Sequence, residues 1–511
     1  MNYHRIAFLF TIGILSFVIW SCVDVNNSNI PSNINYHSLV RFINVAGDNP
    51  AAGAITVDNA PVGTITYGNS TAYMSLLSGS RTLAYGGNNQ LLNFVTDDQI
   101  TIVVHTLNGT DRFLLLDEGY SFKNNGAGMT DTTQIKFINS AVGFAPSMIF
   151  RTDSLTGTTV AVGVPFNRAE GYVILPSGSY PLFALSNGGY LATIDGSQEI
   201  PAVTTGSSGS GTFGLAYDTG LSWSIDVTTA NTGGVNGTFY SVANFHLGAP
   251  GVSGAAIQGI DVSGQTVSFP DGKFNTPDTL TRASGTTSGV VLSSNAARDS
   301  FSVNYTISVV ADPTDTLQVV STFLSAAFHR GSPSGPVLRD IAIGPFRDST
   351  ITGTWSTADA QPLTRALVDT LLNGRVYITF TTPRHVTGEL YLQLVPDPTT
   401  TNTYAGAWAG ISEAMKDSIV AGKVYMNFET LTNPTGQIRG QLTVDPAAGQ
   451  YGIASLPAAT YGAGSMYTVI AADSGSVNLK LLPLQNRQAG VTTSAKQQIL
   501  PVLNAPKKSL K

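Results

Sequence analysis

The chain has 511 residues, too many for one hydrophobic core, and this length suggests roughly three or four domains. Only 11% of the residues are charged, and Gly (53 residues), Ser and Thr take their place. The balance of 26 Lys and Arg against 32 Asp and Glu gives a net charge of −6 without long basic runs, which argues against nucleic acid as a partner because phosphate binding needs clustered cations.

The first 22 residues have the pattern of a bacterial signal peptide. Arg5 precedes an apolar run at 6–20, which is short for a membrane span and suitable for a signal-peptide core. Cys22, the only cysteine, follows this run, and the arrangement resembles the lipobox of bacterial lipoproteins. The resemblance implies that residues 1–22 are a signal segment and that Cys22 carries a lipid anchor in the bilayer. A plain secretory signal with an incidental cysteine is the alternative.

The lipid anchor would place the protein in the cell envelope, on a periplasmic or surface-exposed face of the outer membrane. Residues 23–37 are polar and read as a tether between the anchor and the folded part. With one cysteine no disulfide can form within the chain, so we expect packed sheets to supply the stability.

From residue 38 onward the chain alternates apolar and polar residues in short runs separated by Gly, Asn, Asp and Pro. Examples are the stretches 54–68, 99–109 and 212–227. This period of two predicts an all-β protein with several antiparallel β-sandwich domains in series, Ig-like or Greek-key, and few short helices. Helices are predicted only at 358–374 and 411–422, each ending at a glycine that suits a C-cap.

The N-terminal half contains a repeat. VRFINVAG (40–47) matches IKFINSAV (135–142), and LLSGSRTLAYGG (76–87) matches LPSGSYPLFALS (175–186). The pattern resembles the bacterial secreted family called domain of unknown function 4397. The resemblance implies one sandwich at 38–125 and a second that is split into 133–189 and 450–485, because its closing strands occur only at 464–484. About 260 residues would then be inserted into a loop of the second sandwich.

The inserted region contains another repeat, GRVYITFTTPRHVTGELYLQL (374–394) and GKVYMNFETLTNPTGQIRGQL (422–442), 48 positions apart. The opening segment 191–218, the loops 245–254 and 328–337 and the closing segment 427–442 resemble the CHRD family, named after chordin. Either a unit at 286–395 is nested within a unit formed by 190–285 and 396–446, or a degenerate tandem has lost pieces. Residues 486–511 are left as a C-terminal tail.

Two histidines are the weak candidates for metal ligands. His246 and His329 each lie in a Gly/Pro-rich loop where CHRD-like sequences often have H-x-H, but Asn244 and Ala327 occupy the other position here. One imidazole per loop cannot hold a metal without further ligands. Each histidine is therefore interpreted as bonding the backbone of its turn, and we expect no metal, no cofactor and no catalytic residue.

Other features are weaker. Residues 209–214 match G-x-G-x-x-G but follow no strand and open no helix, so they are predicted to form a turn. Glu199, Glu389 and Glu429 could pair in space, although a solvated surface is the simpler expectation. Arg439 is expected to be a structural cation at a sheet edge. Trp223 is expected in the core, and calcium binding at acidic turns is left open.

The leading functional hypothesis is a non-enzymatic envelope lipoprotein whose sandwiches serve adhesion, ligand binding or structure, with a glycan or protein ligand at the cell surface. One alternative is an envelope polysaccharide-active enzyme that uses a carboxylate pair. A second alternative is a periplasmic metal-handling protein that uses His246 and His329.

Overall fold

A computed structural model describes residues 36–47, 53–107, 110–118, 131–144, 146–169, 171–231, 233–277, 281–295, 297–316, 320–473 and 478–487. The predicted signal segment, Cys22, the tether and most of the C-terminal tail lie outside these residues. Within them the chain is all-β, as predicted, with mostly antiparallel sheets and three short α-helices. None of the described helices is long and apolar enough to cross a membrane.

The strands and helices have the following bounds. The first eight strands are β1 (His37–Asn44), β2 (Gly53–Val57), β3 (Ala60–Ile65), β4 (Met74–Leu77), β5 (Gly79–Tyr85), β6 (Asn88–Phe94), β7 (Gln99–Leu107) and β8 (Thr110–Asp117). The next seven are β9 (Thr132–Ser140), β10 (Ser147–Thr152), β11 (Thr159–Pro165), β12 (Arg168–Ala169), β13 (Val173–Pro176), β14 (Gly178–Ser186) and β15 (Gly188–Asp195). Then follow β16 (Ser208–Ala216), β17 (Gly220–Ala230), α1 (Gly234–Thr238), β18 (Tyr240–Leu247), β19 (Ala256–Gly259), β20 (Gln265–Ser268), β21 (Ser284–Ser294), β22 (Phe301–Val310), β23 (Ser325–Arg330), β24 (Val337–Ile341) and β25 (Asp348–Ser356). The last are α2 (Arg365–Leu372), β26 (Val376–Thr381), β27 (Leu390–Leu394), β28 (Thr399–Trp408), α3 (Glu413–Val420), β29 (Val424–Thr430), β30 (Ile438–Gln441), β31 (Thr443–Val444), β32 (Gly452–Tyr461), β33 (Met466–Asp473) and β34 (Leu479–Arg487).

The alternation of the sequence explains why these segments are strands. In β17, Trp223 and Ile225 are buried while Ser222 and Ser224 are exposed, because successive side chains point to opposite faces. Trp223 is therefore a core residue, as predicted. The G-x-G-x-x-G match at 209–214 lies inside β16, so the prediction of a turn there was wrong.

Both predicted helices are confirmed, as α2 and α3. Each ends two residues before a glycine, Gly374 or Gly422, and both glycines have φ +64°. A left-handed backbone is the ordinary way to end a helix and strongly favours glycine. The two copies of the repeat thus share their helix and its stop signal.

The chain divides into two compact units. The first contains residues 1–142, 164–182 and 455–511, and the second contains 143–163 and 183–454. In the first unit, one sheet has the order β4-β1-β7-β8, a second has the order β3-β2-β5-β6, and a third has the order β12-β9-β33-β34 with β13 also on β9.

The N-terminal repeat is visible in the strand pairing. β1 is parallel to β7, with Val40 opposite Ile100, and β9 is parallel to β33, with Ile135 opposite Tyr467. Val40 and Ile135 are equivalent in the repeat, so both copies use the same pairing. The segments that begin near 133 and 464 therefore share one sheet although more than 300 residues separate them.

The path of the insertion is also defined. In the first copy a two-residue turn, Gly86-Gly87, joins β5 to β6. In the second copy the equivalent strands are β14 and β32, which are hydrogen-bonded neighbours. In the first unit Tyr180 of β14 stacks on Tyr461 of β32, with ring centroids 4.8 Å apart. The insertion thus replaces a hairpin turn.

Two cations mark equivalent places in the two copies. The guanidinium carbon of Arg41 lies 4.8 Å from the centroid of the Tyr73 ring, and Nζ of Lys136 lies 4.5 Å from that of Tyr172. Both cations are buried. Burial lowers the pKa of Lys136.

Each of these cations also reaches the last strand of the other copy. Arg41 Nη1 donates to the Gln485 carbonyl at 3.2 Å, and Lys136 Nζ donates to the Asp117 carbonyl at 3.2 Å. The buried carboxylate of Glu118 lies 3.7 Å from Arg41 Nη2. The two copies therefore contact each other through a pseudo-symmetric polar centre beside an apolar cluster that includes Ile43, Ile138 and Ile470.

The second unit contains a nine-stranded sheet of order β19-β18-β29-β30-β15-β16-β17-β28, with β31 on β15. The sheet curls so that its ends pack face to face, and Trp223 of β17 contacts Phe245 of β18 with centroids 5.1 Å apart. Two four-stranded sheets, β20-β21-β22-β25 and β24-β23-β26-β27, pack in the same way, with Phe328 of β23 against Trp355 of β25 at 5.0 Å.

The two parts of the second unit alternate in sequence. β17 pairs with β28 along Leu221–Ala230 and Thr399–Trp408, while β20 to β27 lie between them and form their own two sheets. Each part has its own hydrophobic core. β20 and β21 belong to the inner part, and the nesting of one CHRD-like unit within another stays a prediction. The domain boundaries given above remain predictions.

The contact between the two N-terminal copies can be tested at Ile470. We expect Ile470→Ala to lower the free energy of unfolding of the first unit by about 2–4 kcal/mol, because it leaves a cavity in a fully buried apolar cluster. Urea unfolding measures this loss. Leu91→Ala, at a largely exposed position, is the control and should change stability by less than about 0.5 kcal/mol. Equal effects of the two substitutions would show that β33 does not pack here.

Candidate functional site

One face of the nine-stranded sheet collects the motifs of the CHRD resemblance. β18, β29 and β30 are adjacent strands, and the register aligns His246 with Tyr425 and Asn427 with Arg439. Glu199 comes from the loop between β15 and β16. We call the following residues the polar cluster: Glu199, His246, Tyr425, Asn427, Glu429, Gln437 and Arg439.

The centre of the polar cluster is the Tyr425 ring. The imidazole of His246 stacks on it at 5.0 Å between centroids and 15° between planes. The guanidinium carbon of Arg439 lies 3.4 Å from the centroid of the same ring. Because Tyr425 is on the middle strand, it links side chains from both flanking strands.

Arg439 holds a loop over this face. Its Nη2 donates to the carbonyl oxygens of Val252, at 2.9 Å, and Ala249, at 3.4 Å. Tyr425 also holds the loop, because its hydroxyl accepts a hydrogen bond from the Gly254 amide at 3.0 Å. Arg439 is only 3% exposed and lies on an inner strand between β29 and β15. The prediction of a cation at a sheet edge was therefore wrong.

Glu199 is buried against a hairpin turn. It is 8% exposed, and its carboxylate lies on the α-carbon of Gly436, so that a methyl group at position 436 would overlap it. Its Oε1 atom is buried and accepts no hydrogen bond. Burial raises the pKa of Glu199 to about 7, although the positive charge of Arg439 acts in the opposite direction. The simpler expectation of a solvated carboxylate was wrong.

The remaining members lie beside Glu199 on the hairpin. The backbone amide of Gln437 donates to the carbonyl of Phe428, the residue before Glu429, at 2.7 Å. Burial raises the pKa of Glu429, which the His246 charge opposes, and the negative charge of Glu429 in turn raises the pKa of Glu199.

The repeat copy at 374–394, called the inner repeat because it lies in the inner part of the second unit, can be compared with the copy at 422–442. His329 is opposite Tyr377, as His246 is opposite Tyr425, but Tyr391 stands where the other copy has Arg439. Gln441 and Gln393 have the same role in both copies, and each donates to the carbonyl of the glycine after the helix, at 2.8 Å and 2.6 Å. The two copies therefore share this scaffold. Of the two, only the copy at 422–442 has a cation at this position.

Both candidate histidines bond the backbone of their own loops. His246 Nδ1 lies 2.9 Å from the Gly254 carbonyl, and His329 Nδ1 lies 2.8 Å from the Gly335 carbonyl. Each histidine therefore bonds the backbone of its own turn, as the sequence analysis predicts. In the described ranges, no group of three or more His, Cys, Asp or Glu side chains is placed to hold a metal ion.

Glu389, the third carboxylate of interest, lies outside the polar cluster. It is fully buried in the inner repeat, where it accepts hydrogen bonds from the hydroxyls of Thr281 and of Thr382, the latter at 2.9 Å. His385 Nε2 lies 3.7 Å from its Oε2. Glu389 thus has nearby hydroxyl donors, unlike the Oε1 atom of Glu199.

A cleft of about 490 Å³ opens beside the polar cluster, in the loop that carries Glu199. Most of the exposed surface of its lining is apolar, serine and threonine hydroxyls are set within it, and Asp195 is its only charged residue. The lining residues are Asp195, Gly196, Ser197, Ala202, Val203, Thr204, Thr205, Gly206, Ser207 and Ser208. Gln437 connects the cleft to the polar cluster, because its Nε2 lies 3.2 Å from Thr205 Oγ1 and 3.1 Å from Ser207 Oγ.

Sequence reasoning missed Tyr425, Asn427 and Gln437 as site residues. The period-two pattern of the 422–442 hairpin contains the necessary signal, because it places residues 425, 427, 429, 437, 439 and 441 on one face. What covers that face depends on loops that are far away in sequence.

Comparisons with known proteins do not assign the chain to a family. No family model matches the chain, and no curated protein matches it. The resemblances to the CHRD family and to domain of unknown function 4397 therefore remain proposals.

Replacement of Arg439 should release the loop above the polar cluster. We expect Arg439→Gln to cost about 1.5–3 kcal/mol of unfolding free energy, because its charged hydrogen bonds to the 249–252 carbonyls are lost. Hydrogen exchange should show faster exchange of the Gly254 amide. Tyr391→Gln, at the equivalent inner position, is the control and should leave that amide unchanged. Unchanged exchange at Gly254 in Arg439→Gln would contradict this role.

The pKa of Glu199 predicts a dependence of stability on pH. Its folded-state pKa of about 7 lies above the ordinary value of 4.5, so the folded state disfavours ionisation. This contribution to the stability of the second unit is greatest below pH 4.5 and falls as the pH rises to about 7, by roughly 2–3 kcal/mol. Unfolding in EDTA measures it, and Glu199→Gln should remove this part of the fall. An identical pH dependence in the variant would show that Glu199 is not the group responsible.

Proposed function

We propose that the chain is an envelope-anchored lipoprotein that binds a neutral glycan at the cell surface without cleaving it. The observation that carries this proposal is the cleft at 195–208. Its volume falls in the range of ordinary ligand sites, and a mostly apolar lining that includes serine and threonine hydroxyls suits a neutral sugar, which has both apolar faces and hydroxyls.

The charge of the cleft also supports a neutral ligand. Asp195 uses its carboxylate within the loop, where Oδ1 accepts from the Ser197 amide at 2.9 Å and Oδ2 accepts from Gln198 Nε2 at 3.1 Å. The hydrogen bond from the Ser197 hydroxyl, followed by those from the Gln198 side chain and the Ser197 amide, lowers the pKa of Asp195. No lysine or arginine is among the lining residues, so an anionic polymer would gain no ion pair there.

The low charge of the whole chain and its repeated sandwiches fit the same proposal. Repeated modules at the end of a lipid tether suit weak binding that multivalency strengthens. The proposed anchor is Cys22, and the proposed location is the outer membrane, on its periplasmic or surface-exposed face.

Filling the cleft should abolish glycan binding. We expect Ala202→Arg, on the cleft wall, to weaken binding on a glycan array at least about tenfold, because a long cation would occupy the space for the sugar. Ala405→Arg, on the exposed face of β28, is the matched control and should bind as the unchanged chain does. If the unchanged chain binds no glycan, or if both variants bind equally well, the proposal is wrong.

The lipid anchor has a separate test. We expect the chain to incorporate labelled fatty acid and to sediment with membranes, and Cys22→Ser to remove the label and release the protein. Retention of the Cys22→Ser variant in the membrane fraction would contradict lipid anchoring at this residue.

One observation favours the alternative of a polysaccharide-active enzyme. A buried carboxyl with a pKa of about 7 is the kind of group that serves as a general acid, and Glu199, whose pKa is raised by burial and further by the charge of Glu429, fits this description. Release of reducing sugar by the unchanged chain, and its loss in Glu199→Gln, would favour hydrolysis over simple binding.

A further inference from the structure

The cleft is lined by the two ends of one loop. Residues 195–197 and 202–208 form its lining, so the segment 198–201 connects one end to the other. Between the two ends, the amide of Val203 donates to the Gly196 carbonyl at 2.8 Å. The shape of the cleft therefore depends on where the connecting segment is held.

Two consecutive side chains hold this segment on the β29–β30 hairpin. Gln198 accepts at Oε1 from the Gln441 amide at 3.3 Å, and its Nε2 donates to the Thr193 carbonyl at 2.7 Å. Neither contact contains a titratable group. The next side chain, Glu199, packs on Gly436 of the hairpin turn so closely that a methyl group added there would overlap its carboxylate.

The packed position of Glu199 suits a neutral carboxyl group. Glu199 is 8% exposed, and its Oε1 atom accepts no hydrogen bond from the described residues. A carboxylate buried without donors loses the hydration that it has in water, which is costly. A carboxyl group that carries a proton has nearly the same shape and no charge. Ionisation therefore disfavours the contact with Gly436 and leaves the contacts of Gln198 unchanged.

The charged groups around Glu199 act in opposite directions. Arg439 on β30 favours the ionised form and Glu429 on β29 favours the neutral form, while His246 on β18 acts on Glu429. Burial outweighs the attraction of Arg439 and raises the pKa of Glu199 to about 7. The guanidinium of Arg439 donates to the Val252 carbonyl, at 2.9 Å, rather than to Glu199.

We propose that Glu199 is a pH-sensitive latch of the cleft, which holds the 196–207 loop on the hairpin turn when it is neutral and releases the loop when it is ionised. The proposal rests on the proposed function in one respect, since the ligand of the cleft is taken to be a neutral glycan. Release would separate the two ends of the loop more often, and a smaller fraction of closed cleft binds ligand less tightly.

The direction of the pH effect follows from the two states of the loop. In the released loop Glu199 has its ordinary pKa of 4.5, and in the packed loop its pKa is about 7. The released state therefore binds fewer protons, and the ratio of released to packed loop is lowest below pH 4.5 and rises until about pH 7. Between pH 5.5 and pH 8 this ratio should increase at least about tenfold.

Hydrogen exchange of the full-length Cys22→Ser chain measures this ratio without a ligand. We expect the protection of the Val203 amide, corrected for the intrinsic exchange rate at each pH, to fall at least about tenfold from pH 5.5 to pH 8. Glu199→Gln has the shape of the neutral form, so its protection should change by less than about twofold. Glu389→Gln, at a buried carboxylate that accepts from Thr382 Oγ1 at 2.9 Å, is the matched control and should keep the fall.

A glycine substitution provides an independent variant. In Gly436→Ala the added methyl group overlaps the packed carboxylate, so the Val203 amide should already be weakly protected at pH 5.5. Gly388→Ala is the control for backbone strain, because Gly388 has the same φ of +138° in the inner repeat. It should leave the protection of Val203 unchanged.

Glycan affinity separates the latch from the proposed function. For a glycan that binds at pH 5.5, the dissociation constant should rise at least about threefold at pH 8 and stay flat in Glu199→Gln. Protection of Val203 that does not depend on pH, or the same fall in folded Glu199→Gln, would overturn the latch. A fall in protection with no change in affinity would overturn its control of the cleft. Binding of no glycan would contradict the proposed function alone, because hydrogen exchange decides the latch without a ligand.

Discussion

The structure depends on parallel pairing between strands that are far apart in the chain. β9 pairs with β33 along seven residue pairs, and this contact completes a sandwich whose two parts are separated by most of the second unit. The cost of closing so long a loop grows only slowly with its length, so a well-packed pair of strands can stabilise it. Every described residue of β33 is buried, which gives that pairing its strength.

The same principle applies within the second unit, where β17 pairs with β28 around the inner repeat. An insertion at a hairpin turn leaves the ladder on both sides intact, because hydrogen bonds between strands do not require a short connection. Polar clusters then form where loops return over a sheet. Arg41, Lys136 and Arg439 are all buried cations on tyrosine rings, and each donates to backbone carbonyls of a segment distant in sequence.

Much of the fold could be predicted from the sequence, because strand periodicity and turn residues are local. The alternation around Trp223 is sufficient to predict strand β17, and the glycines after both helices are sufficient to predict where α2 and α3 end. The candidate site was less accessible. The sequence predicts a surface carboxylate at Glu199 and an edge cation at Arg439, since nothing in their local sequence shows that the hairpin turn at Gly436 buries Glu199 or that the 248–254 loop covers Arg439. Burial of a polar residue is a tertiary property, and spacing along a strand carries no information about it.

The central claim is the register of β9 on β33, and a cysteine pair tests it most directly. In a Cys22→Ser chain, Gln134→Cys with Met466→Cys places the two sulfurs on residues that face each other in the parallel ladder, within the range that a disulfide can span. Mild oxidation should cross-link this pair and change its migration on a gel, while Gln134→Cys with Val469→Cys, three residues out of register, should not cross-link. Cross-linking of the shifted pair, with none in the aligned pair, would contradict the architecture described above.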